Sequence, residues 1–141
     1  MALIKAGEKC IGIYGEGSSL FDLTELRNNG TISLDYNNSA GIYSKGASYI
    51  ENNGAITGGA GGVGNIGIYG RKNSSLSVIT AIINNSSIIL GDNGIGIYAE
   101  NSDITNNGSI VTGSSLTSLG TSAGINAKDS TDTNKGNISI K

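Results

Sequence analysis

Ile95-Gly96-Ile97-Tyr98, followed by Asn106-Asn107-Gly108-Ser109-Ile110, is one copy of a pattern that this chain writes five times. The first half returns as Ile11-Gly12-Ile13-Tyr14, Ala40-Gly41-Ile42-Tyr43, Ile66-Gly67-Ile68-Tyr69 and Ala123-Gly124-Ile125-Asn126. The second half returns as Asn28-Asn29-Gly30-Thr31-Ile32, Asn52-Asn53-Gly54-Ala55-Ile56, Asn84-Asn85-Ser86-Ser87-Ile88 and Asn134-Lys135-Gly136-Asn137-Ile138. The isoleucines Ile13, Ile42, Ile68, Ile97 and Ile125 lie 29, 26, 29 and 28 residues apart. A period of that size marks stacked repeats, each too small to bury its own apolar face until a neighbour covers it.

Alternation then assigns the side chains. In Ile95-Gly96-Ile97-Tyr98-Ala99, residues 95, 97 and 99 are expected to face inward, with Gly96 and Tyr98 outward. The first inward column is Ile13, Ile42, Ile68, Ile97 and Ile125, and the outward one is Tyr14, Tyr43, Tyr69, Tyr98 and then Asn126. A second inward column is Leu26, Ile50, Ile82, Ile104 and a polar Asp132; a third is Ile32, Ile56, Ile88, Ile110 and Ile138. Three short strands with one apolar column each describe a triangular coil. The chain therefore reads as an all-β parallel β-helix, a solenoid of about five coils of 26–29 residues. Equivalent strands would lie side by side ~4.8 Å apart, giving a rod roughly 24 Å long. Asn-Asn-Gly is expected at the corner between the second and third strands, because asparagine and glycine tolerate left-handed φ. Its amides would bond the coils above and below.

From the isoleucine to the first asparagine the spacing is 15, 10, 16, 9 and 9 residues. The two long coils both carry Ser-Ser-Leu, at 18–20 and 74–76. Residues 1–141 thus form one β-helix segment, with a duplicated two-coil unit at 11–65 and 66–120 and a partial fifth coil at 121–141. The other variable corner, before each Gly-Ile-Tyr, holds Asp35 to Asn38, Gly58 to Gly64, Asp92-Asn93 and Gly113 to Ser122.

Composition narrows the chemistry. The chain has no histidine, no proline and one cysteine, Cys10. It therefore lacks an intrachain disulfide, a cysteine zinc site and the commonest general base. A net charge of −2, with 14% of residues charged, offers no basic stripe for nucleic acid and no polybasic membrane contact. No apolar run approaches the ~18 residues of a membrane span. Met1 to Lys5 is too short for the apolar part of a signal segment. The expectation is an internal piece of a longer exported chain, with Leu3 and Ile4 as the tail of a preceding coil that leaves Ile11 to Ile13 an open edge prone to edge-to-edge self-association.

Gly62-Val63-Gly64-Asn65-Ile66-Gly67 matches G-x-G-x-x-G, but a strand follows where a dinucleotide site needs a helix. The same tract resembles the glycine part of a calcium-binding nonapeptide, with Ile66 where the aspartate ligand belongs. No cofactor and no metal are therefore expected. β-Helix polysaccharide lyases and hydrolases need convergent carboxylates. The only such grouping is Glu100 and Asp103 near Asp129 and Asp132, beside Lys128 and Lys135, which reads as a solvated end face. No catalytic residue is assigned. The candidate surface-binding column is Tyr14, Tyr43, Tyr69 and Tyr98, whose ring faces would be bared by the flanking glycines and suit sugars or protein anchors. The alternative reading is that stacked tyrosines simply stabilise the sheet.

The repeats G-I-Y-x-x-x-x-S and I-x-N-N-G-x-I, from about Cys10 onward, resemble those of very large bacterial autotransporter passenger domains of the fusobacterial type. That resemblance implies a right-handed β-helix exported through an outer-membrane barrel to the cell surface. It also implies adhesion to host or bacterial cells, through cell-surface proteins or glycans, and a part in virulence. On this expectation the segment is a non-enzymatic stalk that presents corner loops. The alternatives are a carbohydrate-active enzyme on the same fold and a segment like a phage tail spike.

Overall fold

The computed structural model describes residues 2–18, 23–46, 48–59, 62–72, 80–115 and 121–141. The Ser-Ser-Leu enlargements, apart from Ser18, fall outside that set, as do parts of the Gly58–Gly64 and Gly113–Ser122 corners. β1 (Leu3–Ala6) precedes the first coil, which is β2 (Ile11–Gly17), β3 (Thr24–Asn28) and β4 (Thr31–Leu34). The second coil is β5 (Ala40–Gly46), β6 (Ser48–Asn52) and β7 (Ile56–Gly58), and the third is β8 (Ile66–Arg71), β9 (Thr80–Asn84) and β10 (Ser87–Ile89). The fourth is β11 (Ile95–Glu100), β12 (Ser102–Asn106) and β13 (Ser109–Thr112); the fifth is β14 (Ala123–Lys128), β15 (Thr131–Asn134) and β16 (Asn137–Ile140).

Strands of equal rank pair in parallel, so the molecule is a β-solenoid of three sheets. The first sheet runs β2-β5-β8-β11-β14, the second β3-β6-β9-β12-β15, and the third β1-β4-β7-β10-β13-β16. Register keeps like residues together: Ile68 pairs with Ile42 and Ile97, Ile82 with Ile50 and Ile104, Ile88 with Ile56 and Ile110. In the middle coils these nine isoleucines are 0–2% exposed and form one continuous core. Each contributes about 1.5–3 kcal/mol by leaving water. Ile4 pairs with Ile32, so Leu3 and Ile4 extend the third sheet. They leave the outer edges of β2 and β3 unpaired among the described residues.

Strict alternation fails at the glycine of Gly-Ile-Tyr. A Cβ built on Gly12, Gly41, Gly67, Gly96 or Gly124 would stand 2.9, 2.9, 2.6, 2.3 or 2.2 Å from the Cγ2 of Ile32, Ile56, Ile88, Ile110 or Ile138. The glycine therefore faces the core, next to an isoleucine that also faces the core. Ile95 and Ile66, expected inward, are only half-buried. The strand turns at this residue to bring the first sheet against the third, and there is no room for a side chain inside the bend.

The Asn-Asn-Gly corner also differs from expectation. The left-handed residues are Lys9, Asn38, Gly64 and Asn93 between third and first strands, and Gly46, Asn101 and Asp129 between first and second. None lies in Asn-Asn-Gly. Glycine is there because coils approach closely: a Cβ on Gly54 would sit 1.8 Å from the Gly30 oxygen, and one on Gly136 1.8 Å from that of Gly108. The asparagines do form ladders. The inner one is buried and runs forward: Asn28 Nδ2 donates to Asn52 Oδ1, Asn52 to Asn84 and Asn84 to Asn106, each at 2.8 Å, and Asn106 to Asn134 at 2.7 Å. The outer one is exposed and runs backward: Asn107 donates to Asn85 and Asn85 to Asn53 at 2.9 Å, and Asn53 to Asn29 at 3.1 Å.

Candidate functional site

Beyond the glycine bend the first sheet alternates cleanly. Ile97 and Ala99 point inward, while Tyr98 and Glu100 point outward. The tyrosine column is therefore on the outer face, in register from β2 to β11: Tyr14 beside Tyr43, Tyr43 beside Tyr69, Tyr69 beside Tyr98, with Asn126 on β14. Ring centroids are 5.5, 4.8 and 4.8 Å apart. The interplanar angle is 31° for Tyr43 with Tyr69 and 83° for Tyr69 with Tyr98. Such pairs contribute about 0.5–1.5 kcal/mol beyond simple burial. Tyr14 is 52% exposed, and the other three are half-buried. The flanking glycines do not bare the rings, since those before the isoleucine face the core. What each tyrosine shows to solvent is set by its stacked neighbours.

A second outward column runs beside the first, two residues on: Glu16, Lys45, Arg71, Glu100 and Lys128, paired in that order. The signs along the rod are minus, plus, plus, minus, plus. Lys45 Nζ lies 2.9 Å from Glu16 Oε1. Tyr14 donates its hydroxyl proton to Glu16 and Tyr98 donates to Glu100, both at 2.9 Å. The carboxylate acceptors hold both phenols above their ordinary pKa. Glu16 is lowered, first by the hydrogen bond from Lys45 and then by that from Tyr14, and Lys45 is raised by Glu16. The Arg71 guanidinium is raised above its ordinary pKa, first by Tyr69 and also by Tyr43 and by Glu100, its partner in register. Among the described residues no salt bridge ties Arg71 to a carboxylate. This charged column was readable as the residue two places after each tyrosine, but its meaning depends on register.

The second sheet carries a separate group: Arg27 lies 3.0 Å from Glu51 and 3.5 Å from Glu25, with its guanidinium carbon 5.6 Å from the Tyr49 ring centre. The acidic grouping divides. Asp103 pairs with Thr131 on the outer face, whereas Asp132 pairs with Ile104 at the end of the second apolar column, where desolvation raises its carboxyl pKa. Asp103 and Asp129 share a shallow cleft of about 180 Å³ with Lys72, Asn101, Ser102 and Thr131; neither Glu100 nor Asp132 lines it. Among the described residues no cluster of three His, Cys, Asp or Glu side chains is arranged to hold a metal. The Gly62–Gly67 tract runs straight into β8, with Gly64 left-handed at the corner and its N–H donated to Asp92 O at 2.9 Å. No family model matches the chain, and no curated protein and no solved structure matches it.

Proposed function

We propose that this chain is a stalk segment of a bacterial surface autotransporter passenger, without catalytic activity of its own, which holds corner loops and the tyrosine face outward for adhesion to host or bacterial cells. The observation that carries the reading is the parallel stacking of strands of equal rank through five coils on all three sheets, with like residues in register through the first four. A coil that repeats its own register extends a rod by addition, and its variable residues collect at corners and outer columns. The test is location. Antibodies raised against the folded chain should label intact cells of the source organism, and external protease should remove the signal. Label seen only after permeabilisation overturns the proposal.

The runner-up is a carbohydrate-active enzyme, and the observation in its favour is the cleft shared by Asp103, Asp129 and Lys72. On the proposed reading, pectin, alginate and host glycans stay intact in its presence. Release of reducing ends or unsaturated products, abolished by Asp103→Ala or Asp129→Ala, replaces the stalk reading with that one.

A further inference from the structure

The tyrosine column holds one pair unlike the others. Tyr43 on β5 and Tyr69 on β8 are direct partners in register. Their ring centroids are 4.8 Å apart, the strand spacing itself, and their planes differ by only 31°. Side chains that repeat at the strand spacing share one orientation, so the ring carbons beside one hydroxyl lie over those beside the other. The outer tyrosines break this pattern. Tyr14 stands 5.5 Å from Tyr43 at 49°, and Tyr98 meets Tyr69 edge-on at 83°. Their hydroxyls are drawn along their own strands to Glu16 and Glu100, which keeps each outer ring at its own tilt.

We propose that Tyr43 and Tyr69 are an oxidative cross-linking site, where a one-electron oxidant joins the two rings as dityrosine and staples the second coil to the third. The oxidant class is a haem peroxidase supplied with peroxide. It takes one electron from each phenol, and the phenol proton passes to water. In the phenoxyl radical that results, the unpaired electron is shared between the oxygen and the ring carbons beside it, in orbitals that point out of the ring plane. Near-parallel stacked rings aim those orbitals at each other, and an edge-on pair does not. Reacting atoms held in alignment at contact distance need no search before they combine. One C–C bond forms between the carbons beside the two hydroxyls. Each of those carbons then gives up its hydrogen as a proton while its oxygen takes one on, which restores both aromatic rings. One peroxide becomes two waters for each bond made. Both rings lie half-buried on the outer face of the first sheet, so an external oxidant meets them without unfolding the chain. The bond would join the two halves of the duplicated unit, 11–65 and 66–120.

The test is brief treatment of the dilute, folded chain with a haem peroxidase and limiting hydrogen peroxide. Dityrosine fluorescence should appear in a product that still elutes as a single chain and is lighter by two hydrogens. Peptide mapping by mass spectrometry should place the bond between Tyr43 and Tyr69. Tyr43→Phe and Tyr69→Phe keep a ring in the stack and should each abolish the intrachain product. Tyr36→Phe removes an exposed tyrosine outside the column and should leave the yield as in the parent. The cross-linked chain should unfold at higher urea than the untreated one, because the bond restrains the unfolded state. The chain oxidised in urea should lose the preference for this pair. Far-UV circular dichroism checks that each variant is folded. No intrachain dityrosine in the folded parent, a bond mapped chiefly to Tyr14 with Tyr43 or to Tyr69 with Tyr98, or a yield indifferent to Tyr69→Phe or to unfolding, overturns the proposal.

Discussion

Replacing Asn84 by alanine should cost far more than replacing its sequence neighbour Asn85, although each belongs to an asparagine ladder. Asn84 is fully buried; it accepts from Asn52 at 2.8 Å, donates to Asn106 at 2.8 Å and donates to the Ser86 carbonyl at 3.0 Å. Asn84→Ala strands the Asn52 amide donor and the Asn106 acceptor where water does not reach. At about 1–3 kcal/mol for each of the two stranded buried groups, the loss is roughly 2–6 kcal/mol. Asn85 is exposed and makes two ladder bonds of 2.9 Å, to Asn53 and from Asn107. Water replaces both partners there, so Asn85→Ala should cost no more than about 0.5 kcal/mol. Urea unfolding followed by far-UV circular dichroism gives the midpoint shift and slope for each variant. Equal losses, or less than ~1 kcal/mol for Asn84→Ala, refute the assignment of the inner ladder as a buried, mutually dependent element.

Further outcomes follow from the same geometry. Ile68→Asp should prevent stable folding, because a fully buried unpaired carboxylate costs several kcal/mol, whereas Tyr69→Ser should leave the chain folded with a loss of about 1–3 kcal/mol from its two ring contacts; equal melting temperatures would mean that the two faces are exchanged. Gly67→Ala should destabilise by about 1–3 kcal/mol through overpacking, since its Cβ would meet Gly96 O at 2.5 Å and Ile88 Cγ2 at 2.6 Å; an unchanged urea midpoint would show that the bend has room to spare. The lowered pKa of Glu16 means that its pairing with Lys45 and Tyr14 stabilises the fold above the ordinary carboxylate value of 4.5 and is lost as pH falls through it. Glu16→Gln should therefore flatten the stability profile on the acid side of the ordinary carboxylate value, and a profile identical to the parent's would refute the coupling. The isolated chain should self-associate through the open edges of β2 and β3, with weight-average mass in sedimentation rising with concentration and falling back on Ile11→Lys; a monomer at every concentration would refute it.

The three apolar columns were legible because a stacked repeat writes each column down in sequence, once per period. Ile13 to Ile125, Leu26 to Ile104 and Ile32 to Ile138 fall into register as their spacing predicts. The glycine bend was not legible. Alternation presumes a straight strand, and nothing local to Gly96 reveals that Ile110, fourteen residues on, packs against it. The reason for Gly54 was likewise missed, because its constraint comes from Gly30 in the coil below rather than from its own φ. The tyrosine column could be placed from sequence. The adjacency of Lys45 and Arg71 could not be weighed until pairing made them neighbours, since 26 residues separate them along the chain.

The hydrogen bonds of all three sheets join one coil to the next and therefore lie along the rod. Tension applied end to end loads them directly, one terminal coil at a time, rather than shearing many together. Each coil that peels away releases its whole contour: the 29 residues from Ile68 to Ile97, at ~3.3 Å apiece, become roughly 96 Å of chain where ~4.8 Å of rod had been. A rod built this way lengthens under load coil by coil, and it shortens again by restacking onto the edge that remains. The extension available to such a stack is set by its number of coils.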